Sequence, residues 1–283
     1  MCAENECLLF ADDTCLTYIG DNLDALVQNV NDRLSSILDW CRYNKLSINP
    51  SKSEYMIITN LPIPTEPNIY IGPDRISRSS CVKYLGMHID SNLKFTDHVF
   101  HLTKKLSRLA GISYKLGKYL NLRAAKNYYY SCVYSVLTYC LSVWGGVVSC
   151  TQGANCLTSF QRRIVTQLFS KYYTDTSCIF KSTNLLKLGD IHKLYASIYM
   201  FKVIKLNSCE AIGNNLDLRR PHHQYLTRNR DRLLTPFPRV NAIKFNFQYQ
   251  FTNVWNEVPD EIKNVRTLRL FKKKLTCHLL SSY

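Results

Sequence analysis

The chain has 283 residues, of which 46% are apolar and 20% charged, a globular composition that excludes a wholly disordered or fibrous protein. No apolar run approaches the ~18 residues of a spanning helix, so no membrane segment is predicted. The formal net charge of +15 is unevenly divided, with 8 basic and 13 acidic side chains in residues 1–100 and 28 basic and 8 acidic in residues 101–283. That asymmetry points to a polyanion held by the second part, with a plain solvated basic surface as the alternative.

The first elements read as strand, tight turn, strand: apolar Cys7–Phe10, a turn at Ala11-Asp12-Asp13, and strand formers from Thr14 to Ile19. Gly20-Asp21-Asn22 breaks the strand and offers a helix cap. Leu23, Leu26, Val27, Val30, Leu34, Ile37, Leu38 and Cys41 then recur with a period near 3.6, predicting an amphipathic helix that ends near Tyr43-Asn44. Leu46–Ile48 and Tyr55–Thr59 read as a strand pair joined by the Asn49–Lys52 turn. A proline-rich connector holds a short strand at Ile69–Ile71, and Cys81–Asp90 reads as two short strands bent at Gly86.

After Asn92 the pattern turns helical. Phe95, Val99, Leu102, Leu106, Leu109 and Ile112 form one stripe, with Lys104, Lys105 and Arg108 off it. Further helices are predicted over Ala124–Trp144, Leu157–Tyr172 and Leu194–Leu206. Residues 207–253 are expected to be loop-rich and basic (Arg219, Arg220, Arg228, Arg230, Arg232, Arg239), and Phe251–Leu280 closes with two helical segments. The Tyr-rich stretch Tyr128, Tyr129, Tyr130, Tyr134 and Tyr139 could stack on bases, but its apolar surroundings favour core packing.

The twelve cysteines include no C-x-x-C pair and no finger-type grouping with His. Cys41, Cys132 and Cys140 sit in apolar helical runs and read as small buried hydrophobes. The acidic opening lacks the basic start of a secretory signal. Reduced thiols are therefore expected, in an intracellular protein of the nucleus or cytoplasm.

Two adjacent aspartates at a hairpin turn are the feature most suited to chemistry. Neighbouring carboxylates repel, and a bound cation relieves the repulsion. Carboxylate oxygens suit Mg²⁺, which keeps water or substrate phosphate in its other positions. An ordinary Asp-rich turn is the plain alternative.

The order of these features resembles the palm of reverse transcriptases of non-LTR (LINE-type, jockey-like) retrotransposons. An aromatic-Ala-Asp-Asp hairpin is matched by Phe10–Asp13, and a Trp…Asn-x-Leu-x-x-Asn-x-x-Lys pattern by Trp40, Asn44, Leu46, Asn49 and Lys52. A Tyr-Leu-Gly-x-x-Ile-Asp run is matched by Tyr84, Leu85, Gly86, Ile89 and Asp90. A Tyr…Val-Trp-Gly run is matched by Tyr139, Val143, Trp144 and Gly145. A final Trp-Asn-x-Val-Pro…Phe-Lys run is matched by Trp255, Asn256, Val258, Pro259, Phe271 and Lys272.

The resemblance implies an α+β fold: a partial polymerase palm over residues 1–91, a helical thumb over 92–150, and a basic helical region over 151–283. It implies that Asp12 binds an Mg²⁺ pair, the ions about 3.5–4 Å apart in such sites, that Asp13 assists at this metal site more by field and geometry than by direct ligation, and that Lys52 meets the leaving pyrophosphate. Tyr84, Leu85 and Gly86 would form a primer grip. Lys104, Lys105, Arg108, Lys115 and Lys118 are candidate phosphate contacts. The implied partners are an RNA template, an RNA–DNA hybrid or DNA primer, and deoxynucleoside triphosphates.

A polymerase palm also needs a third carboxylate, on a strand well before the hairpin. Only nine residues precede Phe10, and Glu4 and Glu6 are too close in sequence to stand in for it. The expectation is a C-terminal part of such an enzyme, inactive alone. A non-catalytic RNA- or DNA-binding remnant and a transposon relic without function stand beside it.

Overall fold

The computed structural model describes residues 6–63, 65–149, 152–173, 175, 178–208, 232–235 and 247–283. The chain divides into two compact units, Met1–Leu93 and Lys94–Tyr283. The first mixes short hairpins with one helix and the second is helical, which makes the chain α+β.

In the first unit, β1 (Glu6–Phe10) and β2 (Asp13–Thr17) pair antiparallel with Phe10 opposite Asp13. Helix α1 (Leu23–Tyr43) follows. Its start is set by Asn22, whose side chain accepts from the Asp24 and Ala25 N–H groups at 2.9 and 3.2 Å, satisfying amides that the first turn leaves free. The predicted helix and its cap are both present. Leu34 of α1 packs with Ile69, Ile71 and Ile76 to form the core, joined by Leu16, Val27, Val30, Leu38, Ile48 and Tyr55.

The predicted pairing of Leu46–Ile48 with Tyr55–Thr59 does not form. Asn49 instead caps a short 3₁₀ turn, Pro50–Lys52, accepting from the Ser51 N–H at 3.1 Å. Only Glu54–Tyr55 (β3) is strand, and it pairs in parallel with Ser77–Arg78 (β6). The Tyr55 hydroxyl, donating to the Pro67 carbonyl at 2.7 Å, ties β3 to the connector. Between them β4 (Tyr70–Ile71) and β5 (Asp74–Arg75) form a small hairpin. Asn31 of α1 holds its backbone as a neighbouring strand would, donating to the Asn68 carbonyl at 3.1 Å and accepting from the Tyr70 N–H at 3.0 Å. The two predicted strands at Cys81–Asp90 are present as β7 (Cys81–Tyr84) and β8 (Met87–Asp90), an antiparallel hairpin turning at Leu85-Gly86.

The second unit opens with α2 (Thr96–Leu116), whose buried side is Val99, Leu102, Leu106, Ala110 and Ser113. Ile112, expected on that stripe, is exposed; at 100° per residue it falls off the side that Ala110 and Ser113 continue. The helix predicted over Ala124–Trp144 is broken into α3 (Leu122–Tyr128), a π-helical turn (Tyr129–Tyr134), α4 (Ser135–Thr138) and α5 (Leu141–Ser149). The break falls at Cys140, with φ 50°. Trp144 secures it: its indole N–H donates to the Tyr139 carbonyl at 2.8 Å, and its fully buried ring meets His98 edge-on at 5.5 Å.

Trp144 and Gly145 of the Tyr…Val-Trp-Gly run thus serve packing, Gly145 because a Cβ there would lie 2.7 Å from the His192 ring, whereas Tyr139 and Val143 are exposed. Cys41 is buried as expected, whereas Cys132 and Cys140 are only half-buried.

Helices α6 (Gln152–Phe169), α7 (Ile179–Thr183) and α8 (Leu188–Leu206) follow, α6 and α8 beginning earlier than predicted. Helix α9 (Phe247–Glu257), short α10 (Asp260–Lys263) and α11 (Leu268–Ser281) close the chain. α6 packs along α2, while α8 takes α5, α9 and α11.

Gln161 of α6 is fully buried. It donates to the Tyr129 hydroxyl at 2.8 Å and the Leu186 carbonyl at 2.9 Å, and accepts from the Leu188 N–H at 2.9 Å. Tyr129 therefore serves the core, while Tyr130 and Tyr139 reach solvent. The terminal Trp-Asn motif is structural too. Trp255 and Phe271 are buried together at 5.9 Å, and the Asn256 amide bonds both the N–H and the carbonyl of Leu233.

Candidate functional site

The register of β1 and β2 leaves a two-residue loop, Ala11-Asp12. Asp13, expected in the turn, is the first residue of β2. The loop is possible because Ala11 adopts φ 52°; a two-residue hairpin needs a positive φ at its first central residue, and a non-glycine residue there carries strain. Both carboxylates are exposed at the tip. So are the apolar side chains behind them: Leu8, Leu9 and Phe10 are 50, 73 and 62% accessible.

The other candidate acid, Glu6, pairs with Thr17 at the opposite end of the hairpin, roughly 13 Å along the strand at ~3.4 Å per residue. Glu4 lies outside the described residues. Among the described residues no three metal-ligating side chains come together. Two hard carboxylate oxygen donors suit Mg²⁺, but the described residues alone do not fit a two-ion centre.

Lys52 ends the 3₁₀ turn and is exposed. None of the ion pairs among the described residues takes Asp12, Asp13 or Lys52. Asp12 lies in the hairpin loop, Asp13 at the start of β2 and Lys52 in the 3₁₀ turn, with no ion pair among the three. At the β7–β8 loop, Leu85 has φ 45° and Gly86 φ 82°, the double positive φ of a type I′ turn. A leucine held there is strained.

On α2, Lys104, Lys105, Arg108 and Lys115 are exposed, as is Lys118 just beyond it, and among the described residues none is used in an ion pair. Helical spacing places Lys104, Arg108, Gly111 and Lys115 on one solvent stripe with Phe100. Sequence reasoning missed the aromatic component. The Lys104 ammonium lies 4.3 Å from the Phe100 ring centre, Lys118 lies 5.2 Å from Tyr114, and Lys171 lies 5.8 Å from Tyr172. The aromatic-x₃-Lys spacing at 100/104 and 114/118 was the available signal.

Gly117 lets the end of α2 touch α6, since a Cβ there would collide with the Gln167 carbonyl. The expected basic loop is described only at exposed Arg232; Arg219, Arg220, Arg228, Arg230 and Arg239 lie outside the described residues. Also among the described residues, no helix is long and apolar enough to cross a membrane.

Comparison with known proteins gives the class: the chain is similar to RNA-directed DNA polymerases of non-LTR retrotransposons. It is 24% identical over 181 residues to "Probable RNA-directed DNA polymerase from transposon BS" of Drosophila melanogaster, covering 62% of this chain and 20% of the relative.

It is 32% identical over 97 residues to the corresponding protein from transposon X-element of the same organism, covering 34% and 11%. It is 21% identical over 164 residues to "Retrovirus-related Pol polyprotein from type-1 retrotransposable element R1 2" of Nasonia vitripennis, covering 55% and 40%. The matches thus span at most 40% of the length of these relatives. No family model and no solved structure matches the chain.

Proposed function

We propose that the chain carries the late palm (1–91) and thumb (92–150) of a retrotransposon reverse transcriptase, followed by a basic region (151–283). The observation that carries this reading is the exposed Asp12-Asp13 pair at the tip of a two-residue antiparallel hairpin, in a chain similar to RNA-directed DNA polymerases. In this reading the two carboxylates face Mg²⁺ and a nucleoside triphosphate, and Lys52 faces the pyrophosphate. The strained Tyr84-Leu85-Gly86 loop bears on the primer. Lys104, Lys105, Arg108, Lys115 and Lys118 hold an RNA–DNA hybrid through its phosphates, which requires charge and shape but no reading of bases.

A second reading, a nucleic-acid-binding module without catalysis, is favoured by one observation. The described residues offer two carboxylates and no third, and metal-assisted phosphoryl transfer needs both ions and both reacting oxygens held in place.

Hybrid binding and primer extension, measured together with Mg²⁺ and four deoxynucleotides for the chain and its Asp12→Ala variant, separate the two. The expected result is hybrid binding that survives Asp12→Ala, with little or no extension. Clear Asp12-dependent extension establishes catalysis by this chain; absence of both binding and extension overturns both readings.

A further inference from the structure

The last helix is more basic than its packing requires. After Glu261 the chain holds six Lys or Arg and no Asp or Glu. Lys263 is accounted for locally: its side chain is largely buried, 3.3 Å from the Asp260 carboxylate and 5.9 Å from the Trp255 ring centre. The other five, Arg266, Arg269, Lys272, Lys273 and Lys274, are exposed, and none is used in an ion pair among the described residues. Arg269 and Lys273 are one helical turn apart, about 6 Å along the axis, where like charges repel and weaken the helix.

What holds α11 in place is its other side. Phe271 and Leu275 are buried, and Phe271 lies 4.6 Å from Phe201 of α8 and 5.9 Å from Trp255 of α9. Thr267 caps the start of the helix, accepting from the Leu270 N–H at 3.3 Å. Arg269, Lys272, Lys273 and Lys274 are therefore carried on a fixed rod, with Arg266 just before its cap.

The chemistry of the partner follows from what this face has and lacks. Its apolar side is already used in the core, so a bilayer has no apolar stripe to receive. Outside that core only Leu270 stands among the cations as an exposed large hydrophobe, too little for the apolar centre of a protein interface. Unpaired Arg and Lys on a rigid helix match a phosphate backbone, whose affinity is carried by charge. α11 packs on α8, whereas the basic stripe of α2 belongs to the helix paired with α6.

We propose that α11 and the Arg266 just before it form a second phosphate-binding surface, holding a nucleic-acid backbone through Arg266, Arg269, Lys272, Lys273 and Lys274 independently of α2. The proposal goes beyond the polymerase reading and does not need it.

The test is fluorescence anisotropy of the full chain with a labelled short RNA duplex over a salt series. Double reversal at Arg269→Glu with Lys273→Glu is expected to weaken binding about tenfold or more and flatten the salt slope by about two, one per lost phosphate contact. The melting temperature should stay unchanged, because both side chains are exposed. The neutral pair Arg269→Gln with Lys273→Gln should give a smaller loss in the same direction. Reversal at Lys104 and Arg108 should add to these losses without altering them, as expected of separate sites.

Unchanged affinity and slope in both α11 variants, with melting also unchanged, overturns the proposal and leaves the reading of α2 standing. Loss in the α11 variants alone supports the proposal and removes that reading. Binding to phosphatidylserine vesicles or to an acidic protein, with none to RNA, overturns it in favour of those partners.

Discussion

Tyr283, just past the end of α11, donates its phenolic proton to the Asp190 carboxylate of α8 at 2.6 Å. The Tyr283 hydroxyl oxygen in turn accepts from the Lys187 N–H at 2.7 Å, and the Lys187 ammonium lies 4.2 Å from the ring centre. Burial, reinforced by the hydrogen bond to Asp190, pushes the phenol well above its ordinary range. The contact fastens the basic helix to the helix beneath it.

Tyr283→Phe should lower the stability of the second unit by roughly 1–3 kcal/mol, the cost of a hydrogen bond to a charged group and of leaving its partner unsatisfied. Chemical denaturation measures the loss. A double-mutant cycle with Asp190→Asn should show the two effects to be coupled; additive losses would mean that the bond contributes nothing.

His192 gives the second unit a pH dependence. Burial in the first place, and the Lys193 charge in the second, push its imidazole down from 6.5 to about 4. The unfolded chain therefore takes up the proton first as the pH falls. The contribution is complete above pH 6.5 and is lost progressively towards pH 4, by up to roughly 3 kcal/mol at ~1.4 kcal/mol per unit. Unfolding free energies between pH 7 and pH 4 should fall accordingly, and His192→Gln should flatten the curve.

Removal of Gln161 strands three buried groups at once: the Tyr129 hydroxyl, the Leu186 carbonyl and the Leu188 N–H. Gln161→Leu keeps the bulk and removes the bonds. It should cost about 3 kcal/mol or more, at ~1–3 kcal/mol per unsatisfied group. A thermal melt within a degree or two of the parent would contradict the network.

The two hairpin loops should respond oppositely to glycine exchange. Ala11→Gly relieves a positive φ and should leave the first unit equally stable or more stable by up to about 1 kcal/mol. Gly86→Ala puts a side chain at φ 82° and should destabilise by roughly the same amount. Hydrogen exchange of the β1–β2 and β7–β8 amides reports each change.

Helix α1 was legible because its determinants are local: eight apolar residues at a 3.6 period and an Asn at the cap. The Asp12-Asp13 hairpin was legible for the same reason, since two apolar strands flank a short polar break. The Ala124–Trp144 stretch reads as one helix because its apolar residues are continuous. The break at Cys140 depends on Trp144 finding both the Tyr139 carbonyl and His98, a contact 46 residues away in sequence.

The partner of β3 was equally hidden, because a two-residue strand carries no period from which to read its pairing, and Tyr55 was drawn to Pro67 and β6. The cation–ring pairs of Phe100 with Lys104 and Tyr114 with Lys118 had a sequence signal in their i, i+4 spacing, and side-chain directions showed the contact itself.

Charge division, the acid-bearing hairpin and the order of the motifs belong to the sequence, because each is set by residue type and near-neighbour spacing. Which motifs serve packing, which lysines are unpaired and which of the predicted strands find partners were decided by tertiary structure. Burial and hydrogen-bond satisfaction are settled between segments far apart in the chain.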